Sequence, residues 1–206
     1  MKNPLIITIG REYGSGGREI GKALAERLGI SFYDKKIITL AAQKSGLAEE
    51  FIAGNEQRVR GGLMHNFSAP ASYHSGFFAN QYLPLSENIF IAQAQVIRDI
   101  AAKESAVIVG RCADYILEGR ENTINVFIHA PMEARIKRIM ALHNLDEAAA
   151  IREINISDKE RGNHYFRYTD MKWGKAQNYD VCINSALMGV EKTVEMLADL
   201  ARIEER

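Results

Sequence analysis

Residues 6–29 read IITIGREYGSGGREIGKALAERLG. An apolar, β-branched run ends in a cluster of glycines at 14, 16 and 17. A segment of helical period follows, with Ile20, Leu24 and Leu28 on one face and Gly29 as its expected C-terminal cap. A strand, a glycine turn and a helix N-terminus gather backbone N–H groups at the positive end of a helix dipole. That arrangement makes a site for an anion such as phosphate.

A Walker loop reads G-x-x-x-x-G-K-[ST], with the lysine on the β/γ phosphates and the hydroxyl on magnesium. Laid on GGRE, the pattern puts Arg18 where the lysine would stand, Glu19 at the hydroxyl position and Glu12 at the first glycine. Arginine supplies a cation with a wider, bidentate fork, so Arg18 is the expected substitute and Glu19 a magnesium or outer-sphere group. Two alternatives stand beside this reading. The glycines can serve only to pack the helix close to a sheet. The stretch also matches part of a dinucleotide fingerprint, because GSGGRE gives G-x-G-x-x-E and Asp34 lies twenty residues beyond Gly14.

Outward from this stretch, AVIVG (106–110) and INVFIHA (124–130) are nearly continuous in hydrophobicity, as central parallel strands covered on both faces should be. YDVCIN (179–184) predicts a fourth strand and ISFYD (30–34) a shorter fifth. Helical periods separate them over 35–46, where Asp34 is the expected cap, and over 87–103, 131–144 and 189–206. Strands alternating with helices predict a layered α/β fold with right-handed crossovers and a parallel sheet. Residues 54–86 collect turn-forming residues and scattered aromatics and read as a long excursion of the functional kind; 144–175 form a second, polar region.

Composition narrows the function classes. The 206 residues hold 26 Lys plus Arg against 26 Asp plus Glu, so bulk charge gives no reason to expect nucleic-acid or membrane attraction. Two distant cysteines, Cys112 and Cys182, make neither a metal spacing nor a disulfide framework. The chain runs from MKNP into a strand-like segment without a cleavable signal pattern, and a cytoplasmic location is expected. The five histidines show no metal spacing, and no metal-binding residues are expected from the protein itself.

The blocks IITIGREYGSGGREIGKALAERLGISFYDKKII, VIVGRCADYIL, NVFIHAPMEARIKRI and YDVCINS, in that order, resemble the cytidylate kinase-like family, distant relatives of the P-loop nucleoside monophosphate kinases. The resemblance implies a three-layer α/β P-loop kinase-like fold with a five-stranded parallel sheet. It divides the single domain into a core (1–45, 87–143 and 176–206), an acceptor-binding insertion (46–86) and an arginine-bearing lid (144–175). It also implies ATP and Mg²⁺ as cofactors and phosphoryl transfer to a nucleoside monophosphate such as CMP, or to another small acceptor. A catalytically weak nucleotide-binding module is the alternative.

Carried over by position, Gly14, Ser15, Gly16, Gly17, Arg18 and Glu19 are the expected contacts to the nucleotide. Asp34, Arg58, Arg60, Arg111 and Asp114 are the expected acceptor contacts. In the lid, Lys159, Arg161 and Arg167 are expected to bring positive charge over the transferring oxygens. Arg18, Arg111 and Arg161 are the expected catalytic cations. This sequence departs from the pattern around GRC: where true cytidylate kinases flank that Gly-Arg pair with aspartates, it has Val109 and Cys112. Arg135 and Arg138, three residues apart, share a helix face that points either into the site mouth or to solvent.

Overall fold

A computed structural model of the chain describes residues 3–45 and 84–204. Strand β1 (Ile6–Arg11) leads through the glycine turn into helix α1 (Gly17–Leu28), followed by β2 (Ser31–Tyr33) and α2 (Lys36–Ser45). Helix α3 (Leu85–Lys103), β3 (Ala106–Val109) and the short α4 (Ala113–Ile116) come next. Then follow β4 (Thr123–His129), α5 (Met132–His143), the long α6 (Glu147–Thr169), β5 (Val181–Asn184) and α7 (Ser185–Glu204).

All five strands are parallel, in the order β2-β3-β1-β4-β5. Ile6 stands beside Ala106 on one side and Thr123 on the other, so β1 is central. This order removes the dinucleotide reading. In that fold β1 and β2 are neighbours, whereas here β3 lies between them and Asp34 follows an edge strand.

Side-chain alternation divides the core into two layers, one on each face of the sheet. Ile7, Ile9, Val107, Val109, Val126 and Ile128 pack against Ile20 and Leu24 of α1 and Leu197 of α7. Ile6, Ala106 and Ile108 face α2 and α3 through Ile37, Ala41 and Ile97. Each large aliphatic buried in this way contributes about 1.5–3 kcal/mol, and eleven large side chains among the described residues are less than 2% exposed. A third, smaller cluster of Ile136, Ile139, Ala150 and Ile154 joins α5 to α6.

The predicted elements agree with these bounds to within a few residues. Gly29 caps α1 at φ 67°, its N–H reaching the carbonyls of Ala25 and Glu26. Pro131 caps α5 from the position before its first turn. The C-terminal helix starts earlier than its period suggested, at Ser185, and is broken at Gly189 (φ 75°).

At the N-terminal edge of the sheet, the Arg120 guanidinium donates to the carbonyls of Pro4, Ala101 and Asn122 at 2.7–3.2 Å. That end is closed. The loops that follow the C-terminal ends of β1 and β3 line the clefts described next.

Candidate active site

The loop between β1 and α1 turns on two left-handed glycines, Gly14 (φ 79°) and Gly16 (φ 80°), and Gly16 caps the helix. A side chain at Gly17 would place its Cβ 2.5 Å from Cβ of Arg11, so only glycine lets α1 come this close to the strand. Ser15 is buried and its hydroxyl donates to the Glu12 carbonyl at 2.8 Å; the Ser15 carbonyl accepts from the Ser185 hydroxyl at 2.6 Å. The loop is therefore held from within and from α7.

It is also held by charge. Arg135, whose side chain is 8% exposed, lies between Asp158 of α6, with which it forms an ion pair, and Glu12, 3.5 Å away. The other Asp158 oxygen accepts from the Tyr13 N–H at 2.7 Å. The Tyr13 hydroxyl donates to Glu153, and burial followed by that carboxylate pushes its pKa up to about 12. Arg138 pairs with Glu19, and its guanidinium carbon lies 3.2 Å from where a Cβ on Gly16 would stand. Of the two arginines expected on one helix face, the first is a buried strut and the second covers the loop.

Two clefts open here. The first, about 510 Å³, is lined by the glycine turn, Arg18, Glu19, Lys22 and Arg138. The second, about 60 Å³, lies beyond the ends of β1 and β3 and is lined by Asp34, Arg111, Asp114, His164 and the aromatics Tyr165, Trp173 and Tyr179. Arg11 and Arg161 line both. The Arg161 guanidinium donates to the Arg11 carbonyl at 2.8 Å and lies 5.2 Å from the centre of the Tyr13 ring.

The second cleft is built on unusual backbone. Gly110, Arg111 and Cys112 are successively left-handed, at φ 75°, 62° and 53°. Each non-glycine residue there costs about 1–2 kcal/mol, strain of a kind that gathers at functional sites. Desolvation pulls the Arg111 guanidinium down to about 10 against the opposing pull of Asp34, and it stays charged at neutral pH. Burial raises the Asp114 carboxyl, while the Tyr165 hydroxyl, donating at 2.7 Å, favours its charged form. Phe127 packs behind the cleft, its ring centre 5.4 Å from that of Trp173 and 4.9 Å from that of Tyr179.

The expected residues divide accordingly. Gly14, Gly16, Gly17, Arg18 and Glu19 line the first cleft, Asp34, Arg111 and Asp114 the second, and Arg161 both. Arg18 faces outward; its side chain is 67% exposed and its Nε donates to Asp34 at 2.6 Å. One oxygen of the Asp34 carboxylate accepts from Arg18, and its carbonyl accepts from the Ile37 N–H at the start of α2. Arg167 lines neither cleft and docks α6 on α3 through Glu87 at 2.7 Å; Lys159 is exposed and also lines neither. Arg58 and Arg60 lie outside the described residues. Sequence reading missed Arg11, whose signal was a cation closing a central apolar strand, and missed the individual roles of Tyr165, Trp173 and Tyr179.

Among the described residues, no three His, Cys, Asp or Glu side chains converge on a point that could hold a metal, and no helix is long and apolar enough to cross a membrane.

A family model described as the cytidylate kinase-like family matches residues 6–187. A cytidylate kinase from Archaeoglobus fulgidus is 23% identical over 202 residues, which cover 97% of this chain and 96% of that protein. A uronate isomerase from Corynebacterium glutamicum is 29% identical over 107 residues, but these span 51% of this chain and only 21% of that protein. Among solved structures, an uncharacterized protein from Eubacterium ventriosum has a TM-score of 0.70 at 28% identity and covers 96% of this chain and 98% of its own. A shikimate kinase from Bacteroides thetaiotaomicron has a TM-score of 0.54 at 13% identity, over 96% of this chain and 98% of its own. That likeness shows a shared P-loop kinase fold.

Proposed function

The chain belongs to the cytidylate kinase-like family, and from that premise we propose that it transfers the γ-phosphoryl group of ATP to a small acceptor, with CMP the first candidate. In that reaction an acceptor oxygen forms a bond to the γ-phosphorus as the bond to the β–γ bridging oxygen breaks. ADP leaves with the electron pair, and a phosphate acceptor already carries the charge that makes it a nucleophile.

One observation supports this reading above the others: a glycine cradle and an arginine-lined cleft share a boundary at Arg11 and Arg161. Phosphoryl transfer needs positioning and positive charge where the transferring oxygens pass, and little else from the protein. The larger cleft, about 510 Å³, is of the size that takes a nucleotide. Under this reading Gly14, Ser15, Gly16 and Gly17 supply backbone structure around the triphosphate, and Arg18, Arg111 and Arg161 supply charge. Asp34 and Asp114 orient the acceptor, with Arg58 and Arg60 as further candidates for gripping it. Lys159 and Arg167 serve the α6 region as a whole. The core, insertion and lid bounds given above are part of the same proposal.

Among the described residues, the side chains at the glycine turn do not fit a magnesium held by the protein. Arg18 takes Asp34, Arg138 takes Glu19, and the position of the Walker hydroxyl holds no hydroxyl. Under this reading the triphosphate would bring Mg²⁺ on its own oxygens. A second reading, transfer to a small anionic non-nucleotide, draws on the size of the acceptor cleft, about 60 Å³.

The test is the purified chain with ATP, Mg²⁺ and a panel of nucleoside monophosphates and small hydroxylated acids. Turnover on CMP supports the first reading, and turnover on a small acid alone supports the second. ATP binding by calorimetry without transfer to any acceptor would leave a nucleotide-binding module, and no nucleotide binding would refute all three.

A further inference from the structure

We propose that Arg11 performs the task of the missing Walker lysine, meeting the terminal phosphate of the donor from the end of β1. The inference rests on the phosphotransferase reading and names a residue to which neither the sequence pattern nor the family match gives a role.

The Walker lysine is the residue that follows the last loop glycine and opens the helix. Here Gly16 is the left-handed cap and α1 opens at Gly17, so the lysine's place falls on residue 17. No side chain fits there. A Cβ on Gly17 would sit 2.5 Å from Cβ and 3.1 Å from Cγ of Arg11. The stem of Arg11 therefore fills the space where the lysine stem would begin. Arg11 reaches it from the last position of β1, beside Ile128 of β4.

The far end of the side chain is placed as the task requires. Its Nη1 lies 2.2 Å from the point where a Cβ on Gly110 would stand, over the end of β3. Glycine there, at φ 75°, leaves that space to the guanidinium. Arg11 lines both clefts, whereas Arg18 and Arg138 line only the one formed by the glycine turn. A cation that lines both clefts meets the oxygens of the phosphoryl group in transit; a cation that lines only the first meets the rest of the nucleotide. Arg161 donates to the Arg11 backbone carbonyl and also lines both clefts, so a second cation belongs to the same boundary. Gly17 and Gly110 thus make the two openings that one arginine side chain threads.

The experiment compares the wild-type chain with Arg11→Met, Arg11→Lys and Arg18→Met. Both Arg11 variants keep the stem that packs on Gly17, and thermal melting confirms that each is folded. Calorimetry measures MgATP and MgADP separately, and turnover is measured on whichever acceptor the wild type uses. Arg11→Met is expected to weaken ATP by about tenfold to a hundredfold while changing ADP by less than about threefold. Its kcat is expected to fall by about a hundredfold or more, the loss seen when one donor to the developing charge is removed. Arg11→Lys is expected to recover part of both, and Arg18→Met to affect ATP and ADP alike.

Equal weakening of ATP and ADP in a folded Arg11→Met, or wild-type kcat in that variant, would overturn the proposal. So would a selective loss of ATP in Arg18→Met in place of Arg11→Met. A wild-type chain that binds no ATP would instead overturn the phosphotransferase reading, which is a separate outcome.

Discussion

Replacing Asp158 with alanine removes the residue through which α6 holds the glycine loop. Asp158 has two partners: the Arg135 guanidinium and the Tyr13 N–H. Arg135 has a side-chain exposure of 8% and cannot turn to solvent, so the substitution strands a buried charge. Breaking such a pair from one side costs about 3–5 kcal/mol. Glu12 remains 3.5 Å from Nε and keeps part of the compensation, which favours the lower end of that range. The freed Tyr13 N–H adds about 1 kcal/mol, and the expected loss is about 3–4 kcal/mol. For a chain of this size that lowers Tm by roughly 10 °C.

The assay is urea denaturation followed by circular dichroism, with the slope checked for constancy. Asp158→Asn keeps an acceptor oxygen for one partner and turns an amide N–H₂ toward the other, so it should recover only part of the loss. Arg135→Met combined with Asp158→Ala removes the stranded charge and should be more stable than Asp158→Ala alone. A loss below about 1 kcal/mol in Asp158→Ala, or a double variant less stable than the single, would refute the reasoning.

Two further outcomes follow from burial and charge. The Glu104 carboxyl is held below the usual range first by the Ser31 hydroxyl and then by the Tyr33 hydroxyl, which donates at 2.8 Å. A depressed folded value contributes stability above the unfolded Glu pKa of about 4.3 and loses it as pH falls through the folded value. Glu104→Gln should therefore be less stable than wild type at pH 7, with the gap closing in acid; a gap unchanged from neutral pH to about pH 3 would refute this. Cys112 is buried and its thiol pKa is raised by desolvation, whereas Cys182 is exposed. A thiol reagent should label one cysteine in the native chain and two in denaturant, and rapid native labelling of Cys112 mapped by mass spectrometry would contradict the structure.

What was legible in the sequence is what local chemistry determines. The β-branched runs became the sheet, because a strand covered on both faces has little room for polar residues. The one polar side chain inside β1, Thr8, is satisfied by Asn125 at 2.7 Å. The glycine turn and Gly29 were legible because left-handed backbone demands glycine. Arg161 entered through the family resemblance; in the structure it lines both clefts.

Partners brought together by the fold were not legible. Arg135 looks like any cation on an amphipathic helix, yet Glu12 arrives beside it from β1's end and Asp158 from α6. Arg167 reads as a lid cation but is drawn to Glu87 on α3, and the stacking of Tyr168 on Phe90, ring centres 4.0 Å apart, fixes it there. The role of Gly17 was misjudged in register. Counting letters put Arg18 in the lysine's place, whereas the cap geometry of Gly16 puts Gly17 there.

Helix α6 touches the site at Asp158, Arg161 and Tyr165, which lie on one side of it over two turns. At about 1.5 Å per residue these contacts span roughly 10 Å, and they fix the spacing between the glycine loop, the junction and Asp114 as marks fix distances on a ruler. A ruler of this kind has a grammar for change. Inserting one residue between Asp158 and Tyr165 rotates everything beyond it by about 100° and misaligns donor and acceptor sides together. Length within this part of the chain is therefore fixed, because a whole extra turn restores the direction of the side chains but adds about 5.4 Å to the span.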